Sequence, residues 1–135
     1  MAITGTEAYL KTQILTAPPE KLQLMLYEGA IRFATQAREK IEQKKFDESH
    51  ELLVRAQNIV MELICGLRPE LNASLCSRMA ALYSFIYTRL VTANVERNVK
   101  AIDDALEILA IQRDTWVELL GRLAQHRAEA VEAVS

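Results

Sequence analysis

The residues of this chain whose types could do chemistry are two histidines, two cysteines and a few adjacent acids, and their spacing argues against a catalytic or metal centre. A di-metal site in a helical protein is built from Glu-x-x-His motifs with further inward Glu residues. The residues three before His50 and His126 are Asp47 and Leu123, so neither histidine completes that motif. Cys65 and Cys76 have ten residues between them and form no Cys-x-x-Cys pair. Reduced thiols that pack as small apolar residues are the simplest reading. A Ser, Thr or Cys nucleophile needs an oriented base, and both histidines fall in polar surroundings near predicted helix ends. No glycine-rich phosphate loop is present. Asp103 and Asp104 fall in a predicted first helical turn, where carboxylates suit the helix dipole. The expectation is a non-enzyme with no metal or cofactor, whose function is contact with another protein.

The bulk properties narrow the partner. The chain has 135 residues, enough for one domain with its own core. Sixteen Lys and Arg against 18 Asp and Glu give a net charge of −2, which offers no reason to expect nucleic acid or anionic lipid. No apolar run approaches the roughly 18 residues that a membrane span needs. The first residues, MAITGTEAYLKTQ, carry no basic region followed by an apolar stretch, so no secretory signal is expected and a cytoplasmic protein is.

Strand signals are nearly absent, and helical spacing runs almost throughout. Residues 1–17 carry isolated apolar side chains, among them Ile3, Tyr9, Leu10 and Ile14. They are read as a flexible segment or a short helix loosely docked on the rest. A first helix is predicted from Pro19 to about Lys44, since Pro19 suits the first helical position and Glu20 the positive helix end. A second runs from Asp47, as N-cap, to Gly66. A third follows Asn72 or Ser74, after the turn LRPELN. A fourth begins at Asn98. Short connections make sequential helices antiparallel neighbours. The predicted fold is all-α, an antiparallel up-down four-helix bundle over residues 18–125, with 126–135 as a helix extension or frayed tail.

More apolar stripes exist than one core needs. On helix one, Leu22, Met25, Leu26, Gly29, Ala30 and Phe33 share a face, while Leu24, Tyr27 and Ile31 form a second stripe on roughly the opposite side. The predicted core faces elsewhere run through Leu52, Ala56 and Val60 on helix two, Leu75, Leu82 and Tyr83 on helix three, and Ile102, Leu109 and Trp116 on helix four. Away from these, helix two carries Val54, Asn58, Met61 and Cys65 at helical spacing, and helix four carries Ile108, Ile111, Thr115 and Leu119. Burying one such apolar side chain is worth roughly 1.5–3 kcal/mol, so a row of them can hold an amphipathic helix. A second copy of the chain would use the same surface, which leaves a self-associating structural or adaptor bundle as the alternative. Arg113 falls within helix four's core face and is expected to snorkel outward or to pair with a carboxylate.

Several blocks of this sequence, in order, resemble the FliS family of flagellar export chaperones. They are Ala8-Tyr9; Thr16 to Ile31, centred on Leu26-Tyr27-Glu28-Gly29-Ala30; Arg55 to Ile59 with Glu62-Leu63; Leu82 to Ile86 with Leu90 and Ala93-Asn94; and Arg113 with Trp116. Together they span about residues 8–120. The chain departs from the family pattern at Pro18, where a serine N-cap is usual, in the LRPELN turn, and at Ser84, where an acid is usual. The resemblance implies an antiparallel helical bundle that binds the disordered C-terminal segment of flagellin in the cytoplasm. It also implies that premature assembly is blocked and that the subunit is handed to the export gate. The grooves for such a client are placed on helices two, three and four, where helix three carries a weaker second stripe of Tyr87, Val91 and Val95, using Val54, Asn58, Met61, Cys65, Ile108, Ile111 and Leu119, with Tyr9, Leu10 and Ile14 lying over a groove when no client is bound.

Overall fold

The structure, a computed structural model, describes residues 19–134. It consists of α1 (Pro19–Glu42), α2 (Phe46–Cys65), α3 (Ala73–Glu96) and α4 (Val99–Val134), with no strand among the described residues. The expected contacts of the N-terminal segment through Tyr9, Leu10 and Ile14 lie outside the described residues.

Local chemistry explains the helix ends, though not always through the residues the sequence suggests. Asn72 caps α3, its Oδ1 accepting from the Leu75 amide at 3.0 Å. Asn98 does the same for α4, with Oδ1 3.3 Å from the Ala101 amide. At α2 the helix begins one residue before Asp47, and Lys45 precedes it with no side-chain cap. Asp47 and Glu48 sit in the first turn instead, where their charge faces the positive helix end. Gly66 closes α2 with φ −81°, so it does not use its left-handed freedom. The left-handed turns fall on Lys44 (φ 60°) and Arg97 (φ 55°). Arg97 is supported by its guanidinium, which lies 3.8 Å from the centre of the Phe46 ring.

Each helix packs on two others: α1 on α2 and α4, α3 on α2 and α4. Polar contacts give the directions. Lys40, late in α1, lies 3.6 Å from Glu48, early in α2. His50, early in α2, bonds to Asn94, late in α3. Arg89, late in α3, pairs at 3.2 Å with Asp104, early in α4. Arg38, late in α1, pairs at 2.7 Å with Asp103, early in α4, and Trp116, midway along α4, donates its indole N–H to the Glu20 carbonyl, early in α1, at 2.6 Å. Successive helices are therefore antiparallel and the circuit closes from α4 back to α1.

The core combines small residues on α1 (Ala30, Ala34, Ala37) with Leu53, Val60, Tyr83, Ile86, Leu90, Ile102 and Leu109 from the other helices. Gly29 lets α1 and α2 approach, since a Cβ there would lie 3.1 Å from Ile59 Cδ1. Both stripes of α1 contribute to the fold, one through Leu26, Ala30 and Phe33 and the other through Tyr27 and Ile31. Tyr27 is buried and meets Tyr83 across the bundle, hydroxyl to hydroxyl at 2.6 Å, and the Gln23 amide donates to both oxygens at 3.0 and 3.2 Å. A buried tyrosine needs a partner for its hydroxyl, and each finds one in the other. Leu53, absent from the expected core face, is fully buried, whereas Leu75, expected inside, is 46 % exposed. Arg113 turns its guanidinium to the surface and pairs with Asp114 at 3.0 Å.

Candidate partner-binding surface

Two polar contacts fix which flanks face α3. On α2, His50 bonds to Asn94 of α3. Residues 54, 57 and 61 recur from His50 at helical spacing, so Val54 and Met61 lie along the flank of α2 that looks toward α3. Met61 is 41 % exposed, Val54 is half-buried, and Asn58 and Cys65 are exposed on the outer edge of the same flank. At the end of this flank a depression of about 330 Å³ is lined by Ile64, Leu67, Pro69, Ala73, Cys76, Ser77 and Ala80. It exists because the first turns of α3 carry only small side chains there.

On α4, Asp104 bonds to Arg89 of α3. Ile108, Ile111, Thr115 and Leu119 follow Asp104 at i+4, i+7, i+11 and i+15, so this stripe also faces α3, from the opposite side. Ile108 is half-buried against the core, while Ile111 is 55 % and Leu119 51 % exposed. On α3 itself, Phe85, Leu82, Arg78 and Leu75 precede Arg89 by 4, 7, 11 and 14 residues and so line the other wall of the same groove. Phe85 is 47 % exposed.

The structure thus does not join the α2 and α4 stripes into one groove. It sets them on the two flanks of α3, which forms a ridge between them. Sequence reasoning brings helix three into the groove only through Tyr87, Val91 and Val95 and misses the wall facing α4: it gives Phe85 no face and puts Leu75 and Leu82 in the core. A signal is nonetheless present, since α3 carries only Arg78, Arg89 and Glu96 as charged residues in 24. A helix so poor in charge all round is normally buried on every side, yet among the described residues α3 has α2 and α4 as its adjacent neighbours and nothing packed on its outer face.

The electrostatics of the surface are correspondingly sparse. At one end the Asp104 carboxyl is held below its usual range, chiefly by the hydrogen bond from Lys100 and further by Arg89. Between that pair and the start of α3 the two stripes are apolar apart from Thr115 on α4 and Arg78 on α3, with the Glu118–Arg122 pair beside Thr115 and Leu119. Among the described residues no group of His, Cys, Asp and Glu could hold a metal ion, and no helix is long and apolar enough to cross a membrane.

Comparison with known proteins gives this surface its setting. A crystal structure of a bacterial flagellar chaperone superposes with a TM-score of 0.73 at 26 % identity, covering 88 % of this chain and 99 % of that one. The flagellar secretion chaperone FliS of Bacillus subtilis is 34 % identical over 113 residues, 84 % of either chain. Its namesake in Salmonella typhimurium is 27 % identical over 121 residues, covering 86 % of this chain and 90 % of the relative. The sequence model for flagellar protein FliS matches residues 2–122, nearly the whole chain including the ridge and both its flanks, and the chain accordingly belongs to the FliS family of flagellar secretion chaperones.

Proposed function

We propose that this chain, a chaperone and not an enzyme, binds the disordered C-terminal segment of flagellin in the cytoplasm along the two flanks of α3. It would thereby keep the subunit from assembling before export and deliver it to the export gate. The observation that carries the reading is the placement of half-exposed apolar residues, Met61 on one side and Ile111 and Leu119 on the other, beside a helix with almost no charge. An unassembled tail whose amphipathic helices lack their filament neighbours has matching apolar faces to cover. Docking in the flanks of α3 would order it and mask those faces. Ordering the tail offsets part of the gross contact energy, which leaves the complex weak enough to release. In this reading Tyr9, Leu10 and Ile14 cover a flank until the client arrives. Removal of residues 1–15 then changes client affinity or bundle stability, and no change in either would dispose of that cover.

The test is calorimetric titration of the full chain with the C-terminal flagellin segment of the same organism, with circular dichroism of the mixture. Saturable binding with helicity beyond the sum of the parts is expected. No heat and no gain in helicity at tens of micromolar would remove the reading.

A further inference from the structure

The groove between α3 and α4 contains a cation with no counter-charge among the described residues. Arg78 is exposed and lies on the same stripe as Leu75, Leu82 and Phe85, a turn from each of the first two. Counting from the Arg89–Asp104 pair, antiparallel helices bring residue 78 level with residue 115 of α4. The carboxylates at that level are Asp114 and Glu118. Each is engaged by an arginine of its own helix, Asp114 by Arg113 at 3.0 Å and Glu118 by Arg122 at 2.6 Å. Arg78 has no ion pair or hydrogen-bond partner among the described residues.

Resting on the client reading above, we infer that the α3/α4 groove selects a client helix whose apolar stripe is interrupted by one carboxylate, and that Arg78 is the residue that reads it. A helix lying on Leu82, Phe85 and Ile111 covers Arg78 and strips its water. A guanidinium so covered needs acceptors, and a wholly apolar helix supplies none. A carboxylate one turn from the groove's end accepts the planar N–H fork in two parallel bonds. The distance from Leu75 to Phe85 is about 15 Å along the helix, so the occupant is a helix of about three turns. The arginine then acts against wrong partners more than it adds affinity for the right one. This gives an otherwise greasy groove a means of register: of the apolar stripes on an unassembled tail, the one with its acid in step with Arg78 docks.

The experiment compares wild type, Arg78→Glu and Met61→Asp in titrations with the C-terminal flagellin segment of the same organism, each variant checked for helical content. Arg78→Glu is expected to weaken binding by about tenfold or more. Replacing the client's acids one at a time by lysine is expected to find one position that weakens the wild-type complex and restores binding to Arg78→Glu. If Met61→Asp weakens binding while Arg78→Glu does not, the selection by Arg78 is wrong and the client reading stands. If the wild-type chain does not bind the segment at all, both fall together. Since Arg78 is exposed, folding is not expected to suffer, and Arg78→Gln gives the neutral control: a loss smaller than that of the charge reversal is expected, and equal binding by all three side chains overturns the inference.

Discussion

Tyr83 hides its hydroxyl inside the bundle, and the surroundings decide how it answers to pH. Burial raises its pKa most, the hydrogen bond with Tyr27 raises it further, and the Gln23 amide opposes them weakly. The ionised form is therefore disfavoured in the fold while remaining available to the unfolded chain near pH 10. With the folded pKa raised, this stabilisation is complete below about pH 10 and is lost as pH climbs above it, because only the unfolded state then gives up the proton freely. Urea unfolding between pH 8 and pH 11 is expected to show stability falling above pH 10, and Tyr83→Phe is expected to flatten that fall. At pH 7 the same substitution leaves Tyr27 with only Gln23 and is expected to destabilise by about 1 kcal/mol. Tyr27 also marks how far single residues are legible. Its spacing with Leu24 and Ile31 is plain in the sequence, but periodicity gives a stripe without saying which way it faces. A tyrosine, half apolar and half polar, is the residue least able to settle that alone. Only the partner hydroxyl 56 positions away resolves it. The outward course of Arg113, by contrast, follows from its length and charge alone.

Whole helices are far more legible than their ends. Four helices, their order and the turns at 66–72 and 97–98 follow from 3.6-residue spacing, Pro69 and the two asparagines. The core face expected on α2 holds at Ala56, Val60 and Leu63, with Leu52 packed at its edge, but it omits the fully buried Leu53, one residue or about 100° of rotation from Leu52. Spacing alone cannot reveal it, because the answer depends on α2 packing on both α1 and α3. The glycines test the helices as elements. Gly121 is exposed within α4, and a Cβ there meets nothing within 4 Å. Gly121→Ala therefore removes backbone freedom from the unfolded chain with no steric penalty, and should add about 0.5–1 kcal/mol of helix stability. Gly29→Ala has the same propensity gain available but presses on Ile59 at 3.1 Å, where α1 and α2 touch. Thermal unfolding should show the first variant melting higher than wild type and the second gaining less or losing. Equal gains would mean that the α1–α2 contact is looser than the structure has it. Asn72 offers the complementary case of a helix end: without its oxygen the Leu75 amide has no cap, and Asn72→Ala is expected to destabilise by about 1 kcal/mol.

At the scale of the molecule, helical spacing puts apolar stripes on the second and fourth helices without showing that these are diagonal in the bundle. The antiparallel circuit separates them by the width of α3, and the ridge between them emerges only from the combination of α3's lack of charge with its lack of cover among the described residues. This arrangement makes a prediction that neither flank makes alone. Met61 and Ile111 are each about half exposed, so an aspartate at either replaces an apolar contact without removing a core residue. Each single substitution is expected to weaken client binding by about tenfold to a hundredfold, the worth of one buried apolar side chain. Circular dichroism should stay unchanged, whereas lost helicity in both variants would return these residues to the core. The double variant then decides between two clients and one. If a single tail occupies both flanks, the linked segments act at high local concentration, and truncating the tail to either half should leave binding sensitive to only one of the two substitutions. If the flanks take separate molecules, the intact tail gives a stoichiometry near two. Met61→Asp then abolishes one class of site and leaves the other at wild-type affinity. The two substitutions lie on opposite sides of α3 and share no contact, so their effects on a single spanning client should add, and a stoichiometry of one with additive losses is the outcome the ridge geometry predicts.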